Sequence, residues 1–141
     1  MTHCLLSWNR AEDVIVGKEV DSKPIVKDLA QVNNDDMILD IGPKTLRNID
    51  SLISTSKTIL WNGPAGYFEN PDFANGSYEI ANSIVKNFKS KSIYSVAGGG
   101  DTIAVINKIN AINDFNFVST AGGAFLEYLE GKILPGISAL G

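Results

Sequence analysis

The sequence has little of what several classes of protein require. Cys4 is the only cysteine among 141 residues, so no internal disulfide can form, as is typical of proteins in a reducing compartment. No apolar run approaches the roughly 20 residues of a membrane span. The first ten residues lack the basic start of a signal peptide. These absences predict a cytoplasmic protein with no membrane partner.

Positive charge is also sparse. The chain has 12 Lys and Arg against 16 Asp and Glu, a net charge of −4, and the basic residues form no cluster. Nucleic acid is therefore not expected as a partner, because its binding depends on clustered Lys and Arg. Neither a Ser/His/Asp nor a Cys/His constellation is evident. The 44% hydrophobic content suits one packed domain.

Short apolar runs alternate with segments of helical spacing from residue 13 onward. The predicted strands are 13–16, 37–41, 58–61, 93–97 and 115–119, with a polar stretch over 17–34. The predicted helices pass through residues 46–53, 80–88, 102–109 and 125–130, the last with Phe125, Leu126 and Leu129 facing inward. This alternation predicts an α/β fold, a Rossmann-like three-layer parallel sheet covered on both faces. The turns after Ile41, Trp61, Ala97 and Ser119 should then meet at one edge.

Two glycine runs are the most informative feature of the chain. Ala-Gly-Gly-Gly-Asp-Thr at 97–102 and Ser-Thr-Ala-Gly-Gly-Ala at 119–124 each follow a predicted strand and open a predicted helix. Such turns direct unpaired N–H groups and a helix dipole at an anion such as phosphate. Phosphate would repel the Asp101 carboxylate unless a cation such as Mg²⁺ lay between them. The pattern indicates a magnesium–nucleotide site.

Other interpretations of these residues remain open. A tight strand–helix junction would explain one glycine run, and Asp101 could cap the following helix. Glu69 is either a solvated loop acid or a partner for ribose hydroxyls, and Asn62 could stabilise its own turn. The common GxGxxG fingerprint fails, because it would need glycine where Ile103 stands.

Four motifs occur in an order that resembles one family. They are Trp-Asn-Gly-Pro-x-Gly-x-Phe-Glu at 61–69, Gly-Gly-Gly-Asp-Thr at 98–102, Ser-Thr-x-Gly-Gly-Ala at 119–124 and Leu-Glu-Gly-Lys-x-Leu-Pro-Gly at 129–136. Together they resemble the C-terminal, nucleotide-binding part of phosphoglycerate kinase. The resemblance makes residues 13–141 an incomplete C-terminal domain and leaves residues 1–12 unassigned.

The resemblance implies phosphoryl transfer between 1,3-bisphosphoglycerate and Mg-ADP, giving 3-phosphoglycerate and ATP in glycolysis. It implies that Asp101 holds Mg²⁺ and that Glu69 binds the ribose. The remaining implied assignments are Gly98, Gly99, Gly100 and Thr102 at the nucleotide phosphates, Asn62 and Pro64 in the nucleotide pocket, and Gly122 and Gly123 at the helix start facing the phosphoryl group in transit.

The chain also departs from the family pattern. The family has two domains, and this chain is well under half of that length, without the acid-binding domain and its catalytic arginine. The strands bearing a phosphate-contacting lysine are missing, and Ala121 replaces a glycine. We therefore expect an exposed sheet edge, a partial ADP/ATP site and no activity alone, with 3-phosphoglycerate bound only if the missing domain is supplied. The alternatives are a non-catalytic nucleotide- or partner-binding module and an unstable gene remnant.

Overall fold

The computed structural model describes residues 11–90 and 93–140, in which three strands come first and helices and strands alternate from α1 to α4. The strands are β1 (Asp13–Gly17), β2 (Ile25–Asp28), β3 (Met37–Ile41), β4 (Thr58–Asn62), β5 (Tyr94–Gly98) and β6 (Phe117–Ser119). The helices are α1 (Pro43–Thr55), α2 (Asn75–Lys89), α3 (Gly100–Lys108), α4 (Gly123–Leu129) and α5 (Pro135–Ser138), with short 3-10 turns at Leu29–Gln31, Pro71–Phe73 and Ile112–Asp114. Across the described residues, no helix has the length and apolarity needed to cross a membrane.

A parallel sheet of order β4-β5-β6 forms the centre of the fold. Side chains alternate between the faces of a strand, so Trp61 and Ala97 share one face and are buried. Helices α2 and α3 pack on that face, with Ile84, Val105 and Ile106 in the core. This arrangement confirms the predicted α/β class.

Strands β1 and β3 do not join the parallel sheet, contrary to the expectation. They form a second sheet of order β2-β1-β3 in which both pairings are antiparallel. A parallel connection between β1 and β3 would need a crossover helix, whereas the intervening segment supplies the unpredicted strand β2 instead. The turn after Ile41 therefore belongs to a different sheet from the three turns that it was expected to join.

The predicted third layer is also incomplete. The face of the parallel sheet opposite Trp61 carries Leu60 and Phe117, which are about half exposed. Phe125 of α4 packs there, with its ring centroid 6.4 Å from that of Phe117. Leu129, predicted to face inward, is 53% exposed because α4 covers only the end of this face and ends at that residue.

A buried aspartate joins the small sheet to helix α1. The helix begins after Gly42, which has no capping side chain, and the Asp13 carboxylate of β1 serves instead. It accepts hydrogen bonds from the backbone N–H groups of Lys44 and Thr45, at 3.0 and 2.8 Å, and from the Thr45 hydroxyl at 2.9 Å. Burial alone would raise the pKa of Asp13, but these hydrogen bonds and the Lys44 charge lower it below its ordinary value.

A second buried aspartate holds the start of α2 in the same way. Asp40 of β3 accepts hydrogen bonds from the N–H groups of Gly76 at 2.7 Å and Ile41 at 2.8 Å. A Cβ atom at Gly76 would collide with this carboxylate, so the close approach requires glycine. Burial raises the pKa of Asp40 despite the two N–H donors. Asp13 and Asp40 thus anchor the small sheet to the helices that flank the parallel sheet.

Candidate functional site

The three parallel strands end side by side. Asn62, Gly98 and Ser119 are partners in register at the carboxyl ends of β4, β5 and β6. Parallel α/β sheets bind ligands beyond this edge. The structure therefore brings together the turn after Asn62 and both glycine runs.

The first glycine turn has a geometry that only glycine tolerates well. Gly99 precedes α3 with φ of +91°, in the region that L side chains rarely adopt. A Cβ atom on Gly98 would lie 2.9 Å from the Phe125 ring, and one on Gly99 would lie 3.1 Å from Asn62 Oδ1. Asn62 thus lies directly over the turn. Gly100 and Asp101 form the exposed first turn of α3.

The second glycine turn is more open. Gly122 has φ of +55° and precedes α4, which comprises seven residues. A Cβ atom at Gly122 or Gly123 would meet nothing within 4 Å, so space for a ligand exists there. The Ser119 hydroxyl accepts a hydrogen bond from the Ala121 N–H group at 3.3 Å. Ala121 is not among the described residues with positive φ, so alanine is tolerated at this position.

The loop after β4 is fixed by two buried hydroxyl groups. Thr102 Oγ1 of α3 accepts a hydrogen bond from the Gly63 N–H group at 2.7 Å. Ser77 Oγ of α2 accepts one from the Ala65 N–H group at 3.0 Å. Both side chains are fully buried. Pro64 lies between these two anchors, and the Thr102 side chain links α3 to this loop.

We expect Thr102→Val to destabilise the chain by about 1–3 kcal/mol, the cost of leaving one part-buried N–H group without its acceptor. Because valine has nearly the same shape as threonine, the decrease in stability would report mainly the loss of this hydrogen bond. Thr58→Val, at an exposed strand position, is the matched control and should leave the urea midpoint close to its original value. Equal midpoints for the two variants would contradict the anchoring role of Thr102.

Glu69 lies in the loop between β4 and the 3-10 turn Pro71–Phe73. It is exposed, and the preceding residue, Phe68, is buried with Lys108 Nζ 5.5 Å from its ring centroid. The Tyr67 N–H group donates to the Leu39 carbonyl at 2.7 Å and ties this loop to the small sheet. Tyr67 and Phe68 thus anchor the loop immediately before Glu69, whose own side chain is exposed.

The acidic side chains of the described residues form no preformed metal-binding site. No group of three or more His, Cys, Asp or Glu side chains among them could hold an ion. Asp101 is a single exposed carboxylate at the edge where the glycine turns meet. Mg²⁺ is commonly held by one or two carboxylates together with substrate phosphates and water. Asp101 fits that mode of binding.

Sequence reasoning missed the buried groups that support this edge. Asp13, Asp40 and Ser77 position helix starts or the loop after β4, and none was predicted as part of the site. One signal was available for Asp40, which interrupts an otherwise apolar strand. A buried acid in such a place requires hydrogen-bond donors from elsewhere in the fold.

Known proteins are similar to this chain in sequence and in structure. A model of the phosphoglycerate kinase family matches residues 8–132. The phosphoglycerate kinases of Zymomonas mobilis and Francisella philomiragia are 46% and 49% identical over 130 residues, or 91% of this chain but 33% and 32% of theirs. The phosphoglycerate kinase structure from Coxiella burnetii is 44% identical with a TM-score of 0.83, covering 91% of this chain and 32% of that one. The one from Pyrococcus horikoshii is 32% identical with a TM-score of 0.76, covering 92% and 31%.

The chain therefore belongs to the phosphoglycerate kinase family. It spans about a third of the length of the relatives that it matches. The family match begins before Asp13 and ends at residue 132, within the last of the four motifs.

Proposed function

We propose that this chain carries the nucleotide-phosphate part of a phosphoglycerate kinase. The complete protein would transfer a phosphoryl group between 1,3-bisphosphoglycerate and Mg-ADP, giving 3-phosphoglycerate and ATP. The observation that carries the proposal is the register of Asn62, Gly98 and Ser119, which brings both glycine turns to one edge of the parallel sheet.

This geometry suits phosphoryl transfer. The reaction depends chiefly on positioning the phosphates and neutralising the charge on their oxygens. The exposed first turn of α3 offers N–H groups that lack helix partners, and Gly99 and Gly100 let phosphate oxygens approach the backbone. Gly122 and Gly123, at the start of α4, likewise offer backbone N–H groups and open space, here for the phosphoryl group in transit.

The remaining roles follow from position and from the family. Asp101 would hold Mg²⁺, which when bound neutralises phosphate charge. Asn62 and Pro64 would line the nucleotide pocket beside the glycine turn, and Glu69 would bind the ribose. Thr102 would act on the phosphates indirectly, by fixing the loop at Gly63.

Nucleotide binding by this chain alone should be weak. The part of the family that contributes a phosphate-contacting lysine is missing from it. One lost charged contact costs on the order of 1.5–3 kcal/mol, which is roughly ten- to a hundred-fold in affinity.

We expect Mg²⁺ to strengthen ADP binding and Asp101→Asn to remove that effect, because the amide cannot supply the anionic ligand. Isothermal titration with ADP in Mg²⁺ and in EDTA would measure both. Asp72→Asn is the matched control, an exposed acid in the first turn of the 3-10 turn Pro71–Phe73, and it should keep the magnesium dependence. Equal ADP affinity with and without Mg²⁺ in the unchanged chain would refute the role of Asp101.

A further inference from the structure

The dipeptide Asn-Gly occurs twice in the chain, at residues 62–63 and 75–76. Asparagine is chemically labile before glycine, because the backbone nitrogen of the next residue can attack the side-chain amide and no Cβ atom hinders the approach. Asn62 and Asn75 are both exposed to water. The local sequence therefore gives the two sites similar intrinsic reactivity, and the fold decides which of them reacts.

The second pair is held rigidly at the start of α2. The Gly76 N–H group, whose nitrogen would be the nucleophile, donates to the Asp40 carboxylate at 2.7 Å. Gly76 is buried, and a Cβ atom on it would collide with Asp40 and with the Ile41 side chain. The peptide group between Asn75 and Gly76 therefore cannot rotate toward the Asn75 side chain without breaking a hydrogen bond to a buried carboxylate.

The first pair is held less firmly, at the end of β4. Asn62 is the last residue of the strand, and Gly63, with φ of +98°, begins the loop that follows. A Cβ atom on Gly63 would meet nothing within 4 Å, so the peptide group has space in which to rotate. The Gly63 N–H group donates to the neutral Thr102 hydroxyl at 2.7 Å. A neutral acceptor beside an open loop restrains the nitrogen less than a buried carboxylate at a packed helix start.

We propose that Asn62 is the site at which this chain deamidates and that the Thr102 hydroxyl restrains the reaction. The Gly63 nitrogen loses its proton and forms a bond to Asn62 Cγ, and the side-chain amino group leaves as ammonia. The resulting five-membered succinimide then adds one water, which opens it to aspartate or isoaspartate. The net change replaces an amide with a carboxylate and needs no reactant besides water.

The new carboxylate lies where it would oppose nucleotide binding. Asn62 Oδ1 lies over the glycine turn, 3.1 Å from the position of a Cβ atom on Gly99. A negative charge there would repel the phosphates that the turn is proposed to bind. Isoaspartate would also lengthen the backbone at the end of β4, where Asn62 is in register with Gly98. This consequence rests on the proposed function, whereas the modification itself does not.

The first test follows both sites in one sample. The full chain is incubated in mildly alkaline buffer and digested, and mass spectrometry quantifies the converted form of each Asn-Gly peptide. Asn62 should convert roughly tenfold faster than Asn75, the difference between a neutral hydrogen bond and one to a charged group. In the urea-unfolded chain the two rates should converge. Equal rates in the folded chain, faster conversion at Asn75, or no measurable conversion at Asn62 would overturn the assignment.

The second test removes the restraint on the Gly63 nitrogen. Thr102→Val should speed conversion at Asn62 roughly two- to tenfold, the net contribution of one neutral hydrogen bond, and leave Asn75 unchanged. Thr102→Ser keeps the hydroxyl and should stay near the parent rate. Asn75 in the same sample reports any general loss of structure. Equal acceleration at both sites, or no acceleration at Asn62, would overturn the role of Thr102.

A third measurement separates the modification from the nucleotide site. Mg-ADP should slow conversion at Asn62 and not at Asn75, because a bound nucleotide would cover the glycine turn. Asn62→Asp should weaken ADP binding at least roughly fivefold through charge repulsion. Asn75→Asp, at the exposed start of α2, is the matched control and should bind as the parent does. Conversion at Asn62 that Mg-ADP does not slow would leave the modification standing and refute the proposed nucleotide site.

Discussion

The purified chain alone is expected to show no turnover of Mg-ATP with 3-phosphoglycerate. Phosphoryl transfer needs the acid substrate held in line with the nucleotide, and such positioning contributes about 7–11 kcal/mol to lowering the barrier. The chain has only 12 Lys and Arg, without a cluster that could hold a phosphorylated acid. The domain closure that excludes water from the transferring group also requires a second domain.

A coupled assay of the chain, before and after adding the complementary part of the Zymomonas mobilis enzyme, would measure this. We expect activity only in the mixture, and Asp101→Asn in the chain should strongly reduce it. Persistence of activity in the Asp101→Asn preparation would reveal contaminating host enzyme. Turnover by the unchanged chain alone, absent from that variant, would contradict the prediction. A mixture that forms a complex and binds Mg-ADP but stays inactive would favour a non-catalytic nucleotide-binding module.

The largest loss of stability is expected for Asp13→Ala. The substitution removes the acceptor for the N–H groups of Lys44 and Thr45 at the start of α1. Asp13 is 1% exposed, so water cannot easily replace the carboxylate. Two unsatisfied donors cost about 2–5 kcal/mol in the free energy of unfolding, a large part of the stability of a small domain. Urea unfolding followed by circular dichroism would measure it.

Asp35→Ala is the control for Asp13→Ala. Asp35 is an exposed acid that pairs with Lys18 at the surface, and surface ion pairs contribute little to stability. Its removal should leave the midpoint near that of the parent chain. A loss for Asp13→Ala no larger than that for Asp35→Ala would contradict the capping role.

The pH dependence provides a second readout for Asp13. Because its folded pKa is lowered, its ionisation contributes stability above the unfolded pKa of about 3.9, and this contribution is lost as the pH falls through the folded pKa. The stability difference between the parent and Asp13→Asn should therefore shrink below about pH 4. The pH dependence expected for Asp40 runs in the opposite direction. Because its folded pKa is raised, the stability that it contributes is present below about pH 3.9 and is lost as the pH rises through the folded pKa. A parent–variant difference that stays constant from pH 7 to pH 3 would contradict the ionised state of Asp13.

Local sequence patterns predicted many elements well. Strand β3 was predicted with its observed bounds, and β1 and β4 extend only to Gly17 and Asn62 beyond their predicted ends. The turns at Gly99 and Gly122 were also foreseen, and both have the positive φ that glycine permits. Strand β2 was missed because its sequence, Ile-Val-Lys-Asp, lacks the alternation of apolar and polar residues that marks a half-buried strand. In the structure Ile25 and Val26 are both exposed.

By itself, the sequence determined the α/β alternation, the two glycine turns and the family, because each depends on residue types at short spacings along the chain. Only the tertiary structure decided that β1 and β3 pair antiparallel in a separate sheet, since strand direction and partner depend on distant segments. It also decided that Thr102 anchors the loop at Gly63, 39 positions away. The caps that Asp13 and Asp40 supply to α1 and α2 cross more than 30 positions, so no local pattern could reveal them. The exposure of Leu60 and Phe117 likewise depends on which layers are present to cover the sheet.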